Sequence, residues 1–231
     1  MEKVLILGAQ TGFGTALAEK YASEGYGLYL ADLNVEALEE LKQRLEERYN
    51  AEVSLLKFNV LEFYTHRIFY KGIDPAPVGA IFAVDYIGDQ KRAEKDFLES
   101  KKIIDTNYTG LVSILNIMAN SFEERQQGFI IGIGAVTGEK YKQDVYTYHS
   151  AKTGFMTHLE GIKNRSSLLR MQVLTVNPGF VYMDETKTLE TSITSDAVPE
   201  KIADKIFAAQ QAGKTSLNCE PVLSKLFSFL K

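Results

Sequence analysis

The 231-residue chain has one cysteine, no tryptophan, three histidines and five prolines. A lone thiol, Cys219, has no internal partner for a disulfide, so a packed core must hold the fold, and the sequence suits a reducing compartment. A cytoplasmic protein is expected. Histidine is scarce, and His149 and His158 have no cysteine or carboxylate at ligand spacing, so no metal is expected. No stretch approaches the roughly 20 consecutive apolar residues that cross a bilayer. The opening "MEKVLILGAQ" meets glycine too soon to read as a secretory signal. Basic excess is also missing: 26 Lys and Arg against 30 Asp and Glu give a net charge of −4. With no basic cluster interleaved with aromatics, nucleic acid is not an expected partner.

Apolar residues, at 45%, and charged residues, at 24%, are in globular proportion. A chain of this length fits a single α/β domain over residues 1–231. Short β-branched or leucine-rich runs alternate with longer amphipathic stretches, which predicts a doubly wound parallel sheet with helices on both faces. The expected strands are 4–7, 28–31, 53–58, 80–84, 129–133 and 172–176, with a last one in "TSLNCE". Helices are expected over about 13–24, then after Asn34 as cap, over one long run of about 92–122, over 146–164, and from Pro199 onward. Residues 184–196 read as a polar loop, within a variable segment over about 182–196 expected to close over a substrate. In the tail, Leu223, Leu226, Phe227 and Leu230 share one face of an expected helix over about 221–230.

The first strand runs into "LILGAQTGFGTALA", which sets Gly8, Gly12 and Gly14 between strand and helix. Glycine there permits a tight turn, a close approach of backbone N–H groups to a pyrophosphate, and close helix–strand packing, while the helix N-terminus favours an anion. Asp32 follows about 20 residues later, at the end of the second strand, where a carboxylate accepts hydrogen bonds from ribose hydroxyls and repels a 2′-phosphate. Gln10, Thr11 and Leu33 offer no cation for that phosphate. NAD is therefore favoured over NADP.

The glycine spacing, together with "YHSAK" at Tyr148 to Lys152, "NYTG" at Asn107 to Gly110, "GAVTG" at Gly134 to Gly138 and "NPGFV" at Asn177 to Val181, resembles the short-chain dehydrogenase/reductase family along nearly the whole chain. The resemblance implies a Rossmann-type fold and hydride transfer between a nicotinamide and a carbonyl or secondary alcohol. Tyr148 would act as acid or base, Lys152 would hold the nicotinamide ribose, and Asn107 would hold a water of a proton relay. It assigns the cofactor to the turn residues Gly8, Gln10, Thr11, Gly12, Phe13 and Gly14. The remaining cofactor contacts would come from Asp32, Asn59 and Val60, from Ala83, and from Pro178, Gly179 and Val181. A homodimer or homotetramer built on the helices near 92–122 and 146–164 is also implied. "GAIFAVDYIGDQ" and "NYTG" look most like the keto-sugar reductases exemplified by the decaprenylphosphoryl-2-keto-ribose reductases.

The residues explain the pairing on their own terms. Tyr148 and Lys152 fall one helical turn apart, about 6 Å along the axis, so both face one cleft. A phenol of pKa about 10 is a weak base at neutral pH until a nearby ammonium stabilises its phenolate. Tyr141 and Tyr146 lack such a lysine. Four departures from the family pattern stand out. Met183 replaces a common threonine, and Asn59 an aspartate. Asp85, in "AVDY", brings a carboxylate to a turn beside an anionic cofactor, so it turns outward or affinity falls. Ala135 stands where a serine hydroxyl would orient the substrate carbonyl, a donor whose loss costs roughly 10²–10³ in rate. Several readings stay open. Thr137 or Tyr141 supplies the hydroxyl, Tyr148 suffices alone, the serine was deliberately replaced, or the chain is a catalytically impaired NAD-binding sensor or partner subunit.

Overall fold

A computed structural model describes residues 1–135, 144–166, 171–179 and 198–219. Among them, seven strands pair in parallel: β1 (Lys3–Leu7), β2 (Gly27–Asp32), β3 (Val53–Lys57), β4 (Gly79–Phe82), β5 (Gly128–Ile133), β6 (Met171–Asn177) and β7 (Ser216–Asn218). Their order is β3-β2-β1-β4-β5-β6-β7. The winding reverses between β1 and β4, and a crevice opens beyond the carboxyl ends of strands at such a switch point.

Strand side chains alternate between faces, so a sheet covered on both sides needs apolar residues at every position. In β1, Val4 and Ile6 pack with Leu17, Tyr21, Leu45, Ile202 and Ile206, from α1 (Gly12–Ser23), α2 (Glu39–Tyr49) and a C-terminal helix at Pro199–Gln211. Leu5 and Leu7 pack on the opposite face with Leu111, Ile114, Met118, Phe155 and Leu159. That layer comes from two long helices, Gly110–Arg125 and Tyr146–Ser166. Between α2 and these lie α3 (His66–Lys71), α4 (Gln90–Ala93) and α5 (Phe97–Ile104), so the long helices are α6 and α7 and the C-terminal one α8.

The architecture matches the alternating pattern, with three local corrections. The expected helix over 92–122 is broken into α4, α5, a wide turn over Asp105–Thr109 closed by Gly110 N–H donating to the Asp105 carbonyl, and α6. Asp89 and Asp96 cap α4 and α5 by accepting from the N–H groups of Arg92 and Leu98, at 3.1 and 2.9 Å. Asn34 does not cap α2: the chain first makes a tight turn over Glu36–Leu38, and the Asn34 carbonyl instead accepts from Gln10 Nε2. β4 ends at Phe82 rather than at 84, which leaves the Val84 carbonyl to a side-chain partner. The short α3 has no counterpart in the sequence expectations. The tail over 221–230 and the loop over 182–196 lie outside the described residues.

Candidate active site

Gly8 leaves β1 at φ +82°, and a Cβ there would stand 2.5 Å from Val84 N. At Gly14 a Cβ would meet the Gly8 carbonyl at 2.1 Å, so α1 packs directly on the turn. Thr11 caps α1, its hydroxyl oxygen accepting from Gly14 N–H at 3.0 Å while lying 2.9 and 3.1 Å from the Gly8 and Ala83 carbonyls. Asp32, at the end of β2, clamps the same turn: one oxygen accepts from Gln10 N–H at 3.1 Å, the other from Leu33 N–H at 2.8 Å. Each oxygen keeps a second lone pair for another donor.

Two cavities flank this turn and share Gln10, Thr11, Asp85 and Tyr86 in their walls. One, of about 390 Å³, is walled by Gly8, Asp32, Leu33, Asn59, Val60 and Lys102. Asn59 is tied into its own turn, donating to Glu62 and accepting from Leu61 N–H, both at 3.0 Å. Lys102, whose ammonium lies 4.3 Å from the Tyr86 ring centroid, is a cation in this wall that the sequence reading did not bring here. The other cavity, of about 470 Å³, is walled by Gly12, Phe13, Ala83, Ile87, Tyr148 and Lys152, with Gly134 at the end of β5. Pro178 and Gly179 are buried just past β6, outside both walls; Gly179 N–H donates to the Asn177 side chain at 3.2 Å.

Tyr148 and Lys152 do face one cleft, and both are only 2% exposed. Their partner is Asp85. The Tyr148 hydroxyl donates to Asp85 Oδ1 at 2.8 Å, and Lys152 Nζ lies 3.0 Å from the same oxygen. Lys152 also donates to the Val84 carbonyl at 2.8 Å. The Asp85 carboxylate therefore turns inward onto the tyrosine–lysine pair, which corrects the outward alternative: the ammonium draws it in. An ammonium has three donors, so one is left for a further acceptor.

Asn107, fully buried in the wide turn, accepts from Tyr86 N–H at 3.1 Å and donates to the carbonyls of Tyr86 and Ile103 at 2.6 and 2.9 Å. Both side-chain donors are spent on backbone, so Asn107 acts in this structure by fixing the turn that carries Asp85. A second brace is Glu99, buried on α5, which accepts from the Tyr86 hydroxyl at 2.9 Å and Asp89 N–H at 3.2 Å. Ala135 sits half-buried against the cluster of Ala93, Ile103 and Tyr148 and brings no hydroxyl. Thr137, Tyr141, Val181 and Met183 lie outside the described residues. Tyr146 is half exposed, and its hydroxyl reaches Glu94 at 3.4 Å.

The histidines stand away from the tyrosine hydroxyl or serve packing. His66 lies 3.0 Å from the Ser113 hydroxyl and 3.2 Å from the Asn59 carbonyl, and burial pushes its pKa down. His158 meets Asn116 at 3.0 Å and is likewise lowered, chiefly by burial. His149 is buried beside Tyr148. Among the described residues no group of three His, Cys, Asp or Glu could hold a metal ion. None of their helices is long and apolar enough to cross a membrane.

The family model described as "short chain dehydrogenase" matches residues 2–193. An uncharacterized oxidoreductase of Mycobacterium tuberculosis is 27% identical over 214 residues, covering 91% of this chain and 85% of the relative. A 7beta-hydroxysteroid dehydrogenase of Clostridium sardiniense is 24% identical, over 76% of this chain and 67% of its own. Among solved structures, a short-chain dehydrogenase from Sphingobium yanoikuyae in complex with NADPH superimposes with a TM-score of 0.83 at 17% identity, over all of this chain and 92% of that one. A bulky-bulky ketone specific alcohol dehydrogenase from Comamonas testosteroni gives 0.82 at 15% identity, covering 100% and 90%. The match over residues 2–193 takes in the glycine turn, Asp85, Asn107, Tyr148 and Lys152, and the chain belongs to the short-chain dehydrogenase family of oxidoreductases.

Proposed function

We propose that the chain interconverts a secondary alcohol and a ketone, with NAD bound across the two cavities and Tyr148 as the acid or base. The observation that carries this reading is the buried Tyr148–Lys152 pair opening into the 470 Å³ cavity beside the glycine turn. The residues fit a nicotinamide dinucleotide: glycines at 8 and 14 keep the turn free of side chains, Thr11 orders the α1 N-terminus for the pyrophosphate, and Asp32 has lone pairs free for ribose hydroxyls. When bound, the nicotinamide supplies or takes the hydride.

Tyr148 holds a proton at its phenol oxygen and can pass it to, or take it from, a substrate oxygen in the cavity. Lys152 sets positive charge beside that oxygen and has one N–H left for a ribose hydroxyl. Phe13, Ile87 and Ile133 line the cavity with apolar surface that excludes water. Asp32 favours NAD over NADP by repelling a 2′-phosphate, while Lys102 is a cation in the wall of the same cavity. A sugar-derived ketone is the narrower substrate proposal, and a homodimer or homotetramer the proposed assembly.

The test is absorbance at 340 nm with NADH and NADPH over a panel of ketones and sugar-derived ketones, and with NAD over the matching alcohols. Turnover is expected to fall at least 10²-fold in Tyr148→Phe and to rise in Ala135→Ser. NADH binding by calorimetry without any turnover, in the wild type and in Ala135→Ser alike, refutes the reading. That outcome favours the second one, a cofactor-binding partner or sensor subunit, for which the absence of a hydroxyl at Ala135 is the specific observation.

A further inference from the structure

Asp85 is the least expected member of the site, and three observations converge on it. Its Oδ1 lies 2.8 Å from the Tyr148 hydroxyl and 3.0 Å from Lys152 Nζ. Its side chain is 23% exposed, whereas that of Lys152 is 3% exposed and Tyr148 as a whole 2%. Its backbone is aimed from the next residue on, because Asn107 holds both the N–H and the carbonyl of Tyr86, and Glu99 holds the Tyr86 hydroxyl. A carboxylate fixed in this way is preorganised rather than incidental.

Among the described residues, the other groups near Tyr148 are worse placed to exchange its proton. The Lys152 ammonium is a donor with no acceptor lone pair, and two of its donors already point at Val84 and Asp85. The Asn107 amide is spent on backbone, and Ala135 has no hydroxyl. Of Tyr148, Lys152 and Asp85, the carboxylate is bonded to each of the other two and is the most exposed.

We propose that Asp85 is the proton-exchange partner of Tyr148, a positioning residue that connects the buried phenol to solvent. The proposal rests on the alcohol–ketone reading above. In alcohol oxidation, the substrate O–H bond breaks toward the Tyr148 oxygen while the Tyr148 proton passes to Asp85 Oδ1. The substrate C–H electron pair leaves as hydride to the nicotinamide, and the former O–H pair closes the C=O bond. Asp85 then loses its proton to water. Ketone reduction runs the same transfers backward, with Asp85 taking the proton from solvent.

Among the described residues, the titratable and charged groups on the elements around this pair are several. Lys152 and His149 lie on α7, Glu99 and Lys102 on α5, and Asp89 just before α4. Arg92, on α4, stands 3.9 Å from Glu99. None of these others is bonded to the Asp85 carboxylate in the way that Lys152 is, so removing that carboxylate takes away the negative group hydrogen-bonded to the Tyr148 hydroxyl.

The experiment is a pH titration of tyrosine ¹³Cζ resonances in the full chain, with the Tyr148 signal assigned by its loss in Tyr148→Phe. Removing a negative neighbour at hydrogen-bond distance while keeping Lys152 is expected to lower the Tyr148 ionisation midpoint in Asp85→Asn by about one pH unit or more. Asp85→Glu, which keeps the charge, is expected to stay closer to the wild type. Circular dichroism checks folding, and Asp85→Ala is read in the same way if the asparagine variant does not fold. A midpoint that stays within about 0.3 unit of the wild type in the folded variant overturns the role of Asp85, whatever the turnover. A lowered midpoint without turnover on any substrate keeps the Asp85–Tyr148 coupling and overturns the alcohol–ketone reading instead.

Discussion

Replacing Gly14 by alanine tests whether the nucleotide turn depends on direct backbone contact. The added Cβ would lie 2.1 Å from the Gly8 carbonyl oxygen and 2.8 Å from Ala9 Cα. That is about 1.3 Å short of ordinary van der Waals contact, and the obstacles are backbone atoms that no rotamer change can move. Either α1 lifts off the turn or the turn opens, and overpacking of this kind costs about 1–3 kcal/mol. For a domain of this size that corresponds to a Tm lower by about 2–12 °C. Lifting α1 also withdraws its N-terminal N–H groups from the pyrophosphate position, so NADH affinity is expected to fall by at least 10-fold. Gly161→Ala is the control: it lies at an exposed position of α7, nothing stands within 4 Å of its added Cβ, and helix propensity should raise Tm by about 1–4 °C. Thermal melts and calorimetric NADH titrations measure both quantities. A Gly14→Ala protein that melts within about 1 °C of the wild type and binds NADH equally well refutes the argument.

The remaining predictions are shorter. His66 is held below its ordinary pKa chiefly by burial, so the unfolded chain takes up its proton first as pH falls. The stability it contributes is full above about pH 6.5 and declines as the pH falls from there through the folded-state value. Tm is expected to drop between pH 7 and 5, and His66→Gln to flatten that slope; an unchanged slope removes His66 as the cause. Asp32→Ser replaces the two carboxylate oxygens that accept from Gln10 and Leu33 N–H with a single, shorter hydroxyl and removes the charge that repels a 2′-phosphate. The ratio of NADPH to NADH affinity should rise about 10-fold or more, and an unchanged ratio in competition titrations would show that Asp32 does not select the cofactor.

Much of the site was readable because its signals are local. The strand–glycine–helix turn is set by residues 4 to 18, and the Tyr148–Lys152 pairing follows from helical spacing alone. Asp85 was recognised as a misplaced carboxylate, but its direction was not readable. It sits in irregular backbone whose course is decided by Asn107 and Glu99, some 20 and 14 residues on, and by Lys152 on another helix. The break between α5 and α6 escaped because apolar residues recur on both sides of it: Ile103 before it, Leu111, Ile114 and Leu115 after. A signal for the helix starts was present nonetheless, since Asp89 and Asp96 are residues of the capping type. Asn34 misled for the converse reason. It too is of the capping type, but its carbonyl is engaged by Gln10 while a tight turn delays the helix.

The hydrogen bonds of Asn107 have a consequence for how its mutants are interpreted. With one amide it pairs both the N–H and the C=O of Tyr86, as a neighbouring strand would, four residues past the end of β4. A helix side chain thus substitutes for a missing rung of the sheet and ties the rim of the cleft to the helical layer. Deleting it would loosen the rim itself, so a slow Asn107→Ala enzyme measures backbone order as much as proton transfer. Asn107→Asp separates the two, since it keeps the acceptor for Tyr86 N–H and loses the donors to the carbonyls of Tyr86 and Ile103.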